Sequence, residues 1–210
     1  MPKNKVEFGI SQLHVGTYTV EDGQVVLGTP YHQPGAVSFS PEEQSEANNF
    51  YADNIVYWSG YSGGTFEGDL TVAKFWDDFK TQFLGYSKLA DGGLANVKNA
   101  FKPNVYVAFQ VEGDQESRRI ILYNASLGAI SREYNTIEET KEPVTESIGV
   151  TVSGDANTGI SMVSYTPEDA GYATLFSAPP VPALPEQQTP SGDDTPSGDD
   201  TPSGEDTPEG

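Results

Sequence analysis

The chain has 210 residues, with 11 Lys and Arg against 31 Asp and Glu, which gives a formal net charge of -20. So acidic a balance argues against a surface that grips nucleic acid by neutralising phosphates. Because the chain has no cysteine, it excludes disulfides, thiolate metal sites and cysteine nucleophiles.

The start of the chain is charged, and no apolar run of signal-peptide length follows it. No later stretch approaches the ~18 apolar residues of a membrane span. We therefore expect a soluble protein that is made in the cytoplasm and has no membrane contact.

The body of the chain has the pattern of a mainly β fold. Short segments rich in β-branched and aromatic residues alternate with Gly, Asn, Asp and Pro. Early strands are predicted at residues 6–10, 14–20, 36–40, 55–59 and 65–72, with 60–64 as a hairpin tip.

An aromatic-rich stretch occupies residues 50–58, where four aromatic side chains fall within nine residues. Tyr and Trp combine a large apolar area with a polar atom, so such a stretch suits burial against another protein surface. An ordinary core hairpin is the alternative.

One helix is predicted shortly afterwards, ending before Gly85. Apolar residues recur there at spacings of three and four, which gives the helix one apolar face that we expect to pack on the sheet. These residues are Phe75, Trp76, Phe79, Phe83 and Leu84.

The clearest strand covers residues 105–111, where alternation predicts an apolar row on one face. A turn at 112–117 joins it to a second strand at 119–127, and the two should form an antiparallel hairpin. Further strands are predicted at 147–152 and 160–165, followed by a short helical turn from Thr166.

The composition changes at residue 178, so we divide the chain into a β domain (1–177), a Pro-rich linker (178–188) and an acidic tail (189–210). The tail repeats the unit TPSGDD. A repeat without large apolar side chains cannot offset its ordering entropy, so the tail is predicted to be disordered.

No pattern of catalysis or cofactor binding emerges. His14 and His32 lack the spacing of a metal or triad site, and the many carboxylates form no defined pair. We predict that the protein is not an enzyme and needs no metal or cofactor.

Six short segments follow one another along the chain: VEFGI (6–10), PGAV (34–37), the FYADN-containing 49–58, FEGDL (66–70), LYNA (122–125) and TKEPVTE (140–146). In this order they resemble the major tail protein family of bacteriophages with long, non-contractile tails (siphoviruses). The resemblance covers roughly residues 1–177.

This resemblance implies a β-sandwich or barrel-like tail-tube fold with a flanking helix and a disordered C-terminal extension. It also implies hexameric rings that stack into the tube through which DNA leaves the capsid. The partners implied are further copies of the chain and the tape-measure, tail-terminator and distal tail proteins, with assembly in the host cytoplasm and DNA passing through without specific binding.

Stacked rings need arms that cross from ring to ring, and residues 40–64 and 135–146 are our candidates. Ordinary solvent loops are the alternative for both segments. Within the first arm, the expected inter-subunit contacts are Phe50, Tyr51, Tyr57, Trp58 and Tyr61. Glu112, Asp114 and Glu116, at the end of the best hairpin, are expected near the channel lumen, where acidity would keep DNA from binding.

The alternative hypothesis is a β-sandwich adhesion or carbohydrate-binding module on a virion or cell surface. In that case Tyr57, Trp58 and Tyr61 would form a stacking platform for sugars. A carboxylate-dependent hydrolase is a third hypothesis that only the composition supports.

Overall fold

The computed structural model describes residues 9–52, 55–113, 117–134 and 143–184, with the backbone alone for 46–52 and 55–62. Within those ranges the chain is mainly β with one α-helix, α1 (Asp77–Phe83), which confirms the predicted fold class. The strands in chain order are β1 (Ile10–Glu21), β2 (Gln24–Leu27), β3 (Tyr31–His32), β4 (Ala36–Phe39), β5 (Glu42–Ala52), β6 (Ile55–Val72), β7 (Tyr86–Lys88), β8 (Leu94–Asn96), β9 (Val105–Val111), β10 (Arg119–Arg132), β11 (Glu146–Val152) and β12 (Met162–Tyr165).

Ten of these strands form one sheet, whose main path runs β2-β1-β9-β10-β11-β6-β4, while β7 and β8 pair separately. The long β10 pairs antiparallel with β9 along one edge, with Leu122 opposite Val107. Its other edge pairs first with β12 and then with β11. The predicted hairpin of β9 and β10 is thus confirmed.

The sheet curls around a main core. Phe39 of β4 and Phe109 of β9 meet edge to face with ring centroids 5.6 Å apart, although β10, β11 and β6 lie between their strands in the sheet. Such a contact across the interior requires the β4 end of the sheet to curl back towards β9. The result is the barrel-like body that the sequence predicts.

Strand β9 differs from its prediction, because it is buried on both faces instead of one. Val107 and Phe109 face the main core, as expected. Tyr106 and Ala108, on the opposite face, are also fully buried, in a second apolar cluster. The reason is the central position of β9 in the sheet together with a cover over its second face, formed by distant residues.

Helix α1 covers the main core. Phe79 and Phe83 are buried, and Phe75, just before the helix, stacks on Phe79 with ring centroids 4.9 Å apart. Trp76 was predicted on the apolar face but is 52% exposed. It occupies the N-cap position in extended backbone, outside the helical periodicity that the prediction assumed. Gly85, at a φ of +70°, ends the helix as predicted.

Residues 166–184, here called the C-terminal strap, cover the second apolar cluster. Leu175 inserts fully buried into that cluster. The Arg119 guanidinium donates to the Tyr172 carbonyl at 2.6 Å, and the Tyr123 hydroxyl donates to the Pro180 carbonyl at 2.9 Å. The strap is therefore a structural part of the body.

The strap begins in turns, where the sequence predicted a short helix. Both the N–H and the hydroxyl of Thr166 donate to the Asp169 carboxylate, at 2.7 and 2.8 Å. These bonds close a tight turn, and further turns follow it. The strap includes the first part of the predicted linker, where Pro182 is buried, whereas the predicted tail at 189–210 lies outside the described residues.

Candidate assembly interface

The largest feature beyond the core is the hairpin of β5 and β6. The second part of β6, Phe66–Val72, pairs with β11 in the sheet. Over residues 55–65, by contrast, the described backbone of β6 pairs only with β5. At about 3.3 Å per residue, this two-stranded ribbon is roughly 30 Å long.

The ribbon contains the aromatic residues that the sequence singled out. Phe50 of β5 lies directly opposite Trp58 of β6, and Tyr61 lies opposite Ala47. Tyr51 pairs with Val56 after a register shift. The structure thus brings the candidate contact residues onto one hairpin, with Tyr57 beside Trp58 on the same strand.

The prediction of a hairpin tip at residues 60–64 is wrong, because these residues continue β6. Gly64 has a φ of +102°, and the register shifts between Gln44 and Glu46 of the partner strand. A bulge of this kind lets a glycine-rich segment remain in a strand. The glycines therefore mark an irregularity within β6 and not the end of a hairpin.

The base of the hairpin is acidic and open to solvent. Glu42 lies directly opposite Glu67, and both are exposed. Like charges in facing positions of a sheet destabilise the pair. Nearby Asp69, with Ser38 and Thr151, helps to line a shallow polar depression of about 550 Å³.

The residues proposed for the lumen are only partly described. Glu112 follows β9 and is exposed. It is tied to the start of β1, because its N–H donates to the Gly9 carbonyl at 2.9 Å and its carboxylate accepts from the Ser11 hydroxyl. Asp114 and Glu116 lie outside the described residues, as do 135–142 of the second candidate arm.

The family of this chain follows from its match to a family model. The family model described as "Phage tail tube protein" matches residues 3–162, which is most of the chain. The chain belongs to the phage tail tube protein family. It is therefore a structural component of a phage tail and not an enzyme, and the resemblance found in the sequence is confirmed.

Two solved structures resemble this tail tube protein at low identity. One is the anti-feeding prophage cap, described as the AFP tube terminating cap, with 10% identity, a TM-score of 0.45, and coverage of 79% of this chain and 96% of that chain. The other is the 6-fold symmetrised anti-feeding prophage baseplate, with 8% identity, a TM-score of 0.38, and coverage of 80% and 100%. A comparison with curated proteins found no match.

The two histidines of the tail tube protein meet, although the sequence gave no reason to pair them. His14 and His32 face each other across β1 and β3, with ring centroids 4.9 Å apart. Phe176 of the strap stacks on His14 at 4.5 Å. Burial lowers the pKa of His14, and the nearby charges of His32 and Arg119 act in the same direction.

Sequence reasoning missed the buried carboxylate of Glu146, which was expected at the end of an exposed arm. It is 2% exposed and accepts a hydrogen bond from Arg132 at 3.0 Å, with Lys80 at 3.8 Å. Its position as the first residue of β11, in alternation with buried Ile148, was the available signal. Among the described residues, no group of three or more His, Asp or Glu side chains is arranged to hold a metal ion. The described helix is too short to cross a membrane.

Proposed function

We propose that copies of this tail tube protein assemble into rings, six subunits to a ring by family resemblance, that stack into a tube. The tube belongs to a long, non-contractile tail and conducts DNA during ejection. Family membership supports the tail role, and the shape of the subunit supports assembly through identical copies.

The observation that carries the proposal is the β5–β6 ribbon. Two-stranded hairpins are at best marginally stable in water on their own. Their unpaired edges are ready to accept another strand or surface. Residues 55–65 of β6 have β5 as their only strand partner among the described residues, so a neighbouring subunit would complete their environment.

We place the ribbon of one subunit on a different surface of its neighbour, so that the contact is head to tail. Contacts of this type close into rings or continue as filaments. We assign the inter-subunit contacts to the aromatic residues of the ribbon, because amphipathic rings are enriched in protein interfaces. These are Phe50, Tyr51, Tyr57, Trp58 and Tyr61.

For the channel, we retain Glu112, Asp114 and Glu116 as lumen-facing residues. Carboxylates cannot neutralise phosphates, so the wall would let DNA pass without specific binding. Reversing all three charges should slow DNA ejection and leave tube assembly unchanged. Ejection at the normal rate would contradict this assignment.

Other tail proteins would complete the structure. By family resemblance these are the tape-measure, tail-terminator and distal tail proteins, which join the tube as it assembles in the host cytoplasm. The predicted tail at 189–210 would form an acidic brush outside the tube, attached through the Pro-rich linker.

Negative-stain electron microscopy over a protein concentration series tests the proposal. The full chain should form rings or hollow tubes of uniform width, alone or when a tail-tip complex is added as initiator. Trp58→Ala should reduce assembly, whereas removal of residues 189–210 should not. A full chain that stays monomeric under both conditions would overturn the proposed function.

A further inference from the structure

The charges of this chain are segregated along its sequence. Residues 6–73 contain nine acidic residues and no Lys or Arg. Residues 74–102 contain five lysines and three aspartates, in a protein of net charge -20. A locally basic segment in so acidic a chain is attracted to the acidic surface of another copy.

The basic segment forms one structural unit, here called the lysine lobe (residues 74–102). It consists of α1 and the separate β7–β8 pair, joined to the body by the buried phenylalanines of the helix. Lys88 and Lys98 are exposed and form no ion pair within the described part of the chain. Lys102, also exposed, donates to the carbonyls of Leu127 and Gly128.

The lysine lobe also exposes large apolar side chains. Phe101 is 85% exposed, and three others are about half exposed. Apolar side chains that are exposed on one subunit favour association when a partner covers them and removes them from water. The four side chains are Trp76, Leu89, Val97 and Phe101.

The base of the β5–β6 hairpin carries the opposite charge to the lysine lobe. Glu42 and Glu67 face each other, and Asp69 lies next to them. No described ion pair relieves this repulsion, and residues 42–69 contain no Lys or Arg. Cations from outside the hairpin would therefore stabilise it.

We propose that the lysine lobe of one copy docks against the acidic base of the β5–β6 hairpin of a second copy. This inference rests on the proposed function and specifies its contact. Lys88 and Lys98 approach Glu42 and Glu67, while the exposed apolar side chains are covered by the neighbouring subunit. No ion pair joins the two surfaces within one described chain, so each is free to meet the other on a different copy.

Because the two surfaces differ, the contact is heterologous. A growing assembly therefore keeps a free lysine lobe at one end and a free hairpin base at the other, to which further subunits can add. Opposite charges then set the register and suppress pairing of like surfaces, which repel each other. The apolar side chains supply affinity that salt does not screen.

A charge swap between the full-length chains tests the docking. The hairpin variant carries Glu42→Lys and Glu67→Lys, and the lobe variant carries Lys88→Glu and Lys98→Glu. A control, Glu21→Lys with Asp22→Lys, makes the same charge change as the hairpin variant at the exposed β1–β2 turn. Circular dichroism and thermal unfolding verify that each variant is folded.

Sedimentation velocity and electron microscopy then measure association of each variant alone and of the two swapped variants mixed. Each swapped variant alone should need at least about tenfold more protein than wild type to associate. The equimolar mixture should associate as wild type does, and the control should be unaffected. Normal association of either swapped variant alone, or a mixture no better than its components, would overturn the docking while wild-type tubes still supported the proposed function. Failure of wild type to form rings or tubes would count against the proposed function instead.

Discussion

The carboxylate of Glu146 accepts a hydrogen bond at 2.6 Å from the backbone N–H of Phe75, 71 residues earlier in the chain. The same side chain pairs with Arg132 of β10 and lies 3.8 Å from Lys80 of α1. One buried carboxylate therefore joins the helix to two strands of the sheet.

Replacing Glu146 by Ala should lower the free energy of unfolding by about 3–5 kcal/mol. The change leaves Phe75 N–H without its acceptor and Arg132 without its charge partner. Chemical denaturation at pH 7 measures the loss. Glu133→Ala, at an exposed position beyond β10, should change stability by less than about 0.5 kcal/mol. Equal effects of the two substitutions would contradict the structural role of Glu146.

The stability of the protein should decrease as the pH falls below about 6.5, the ordinary pKa of histidine. The pKa of His14 is lowered in the folded state, mainly by burial, so the unfolded chain takes up a proton first. Above that pH both states are neutral at this residue and the effect vanishes. Thermal unfolding between pH 8 and pH 5 measures the change.

His14→Gln should reduce this pH dependence. His32→Gln should retain most of it, because burial has a larger effect on His14 than the charge of His32. A pH dependence that His14→Gln leaves unchanged would show that another group is responsible.

Asp155 should produce a second loss of stability at lower pH. Burial opposes its ionisation, but hydrogen bonds from Thr158, Tyr18 and Asn157 outweigh that effect and hold its pKa below the ordinary value. A depressed carboxyl pKa stabilises the fold above about pH 4 and loses its contribution as the pH falls through the folded pKa.

Asp155→Asn should therefore lower stability at pH 7 by about 1–3 kcal/mol, because an amide cannot accept all these bonds. It should also flatten the loss between about pH 5 and pH 2. Asp22→Asn, at an exposed turn, is the matched control and should alter neither quantity. An unchanged acid transition in Asp155→Asn would contradict the assignment.

Gly68→Ala should destabilise the base of the hairpin by about 1–3 kcal/mol. A Cβ at Gly68 would overlap the carbonyl oxygen of Ser40 and lie 2.7 Å from its carbonyl carbon, and backbone cannot move aside as a flexible side chain can. Gly149→Ala, on the neighbouring strand, is the control, because its Cβ would meet nothing closer than Asp69 Oδ1 at 4.0 Å. Thermal unfolding distinguishes the two, and similar melting temperatures would contradict the clash.

The sequence predicted secondary structure that depends on neighbouring residues better than strands and burial that depend on residues distant in the chain. Alternation of apolar and polar residues located β9 and β11, and the spacing of apolar residues located α1. Each of these patterns is complete within a short stretch of sequence. β5 was missed, since Glu42–Ala52 is polar and becomes a strand only through pairing with β6. The burial of Tyr106 was missed because its cover, the strap, comes from residues far along the chain.

The sequence alone suggested only part of the candidate interface, whose role remains a proposal. The aromatic residues of 50–61 were recognised because their density is visible in the sequence, and the structure places them on one ribbon. The lysine lobe was not recognised, since Leu89, Val97 and Phe101 have the composition of ordinary core residues and only their exposure distinguishes them.

The bond from the Tyr123 hydroxyl to the Pro180 carbonyl holds the last described part of the strap against the sheet. Tyr123 belongs to the second apolar cluster, on the sheet face opposite the main core that α1 covers. A fluorophore, affinity tag or displayed peptide fused directly to residue 184, in place of the residues that follow, would thus start on the strap side of every subunit. In an assembled tail, such labels would repeat with the spacing of the subunits themselves.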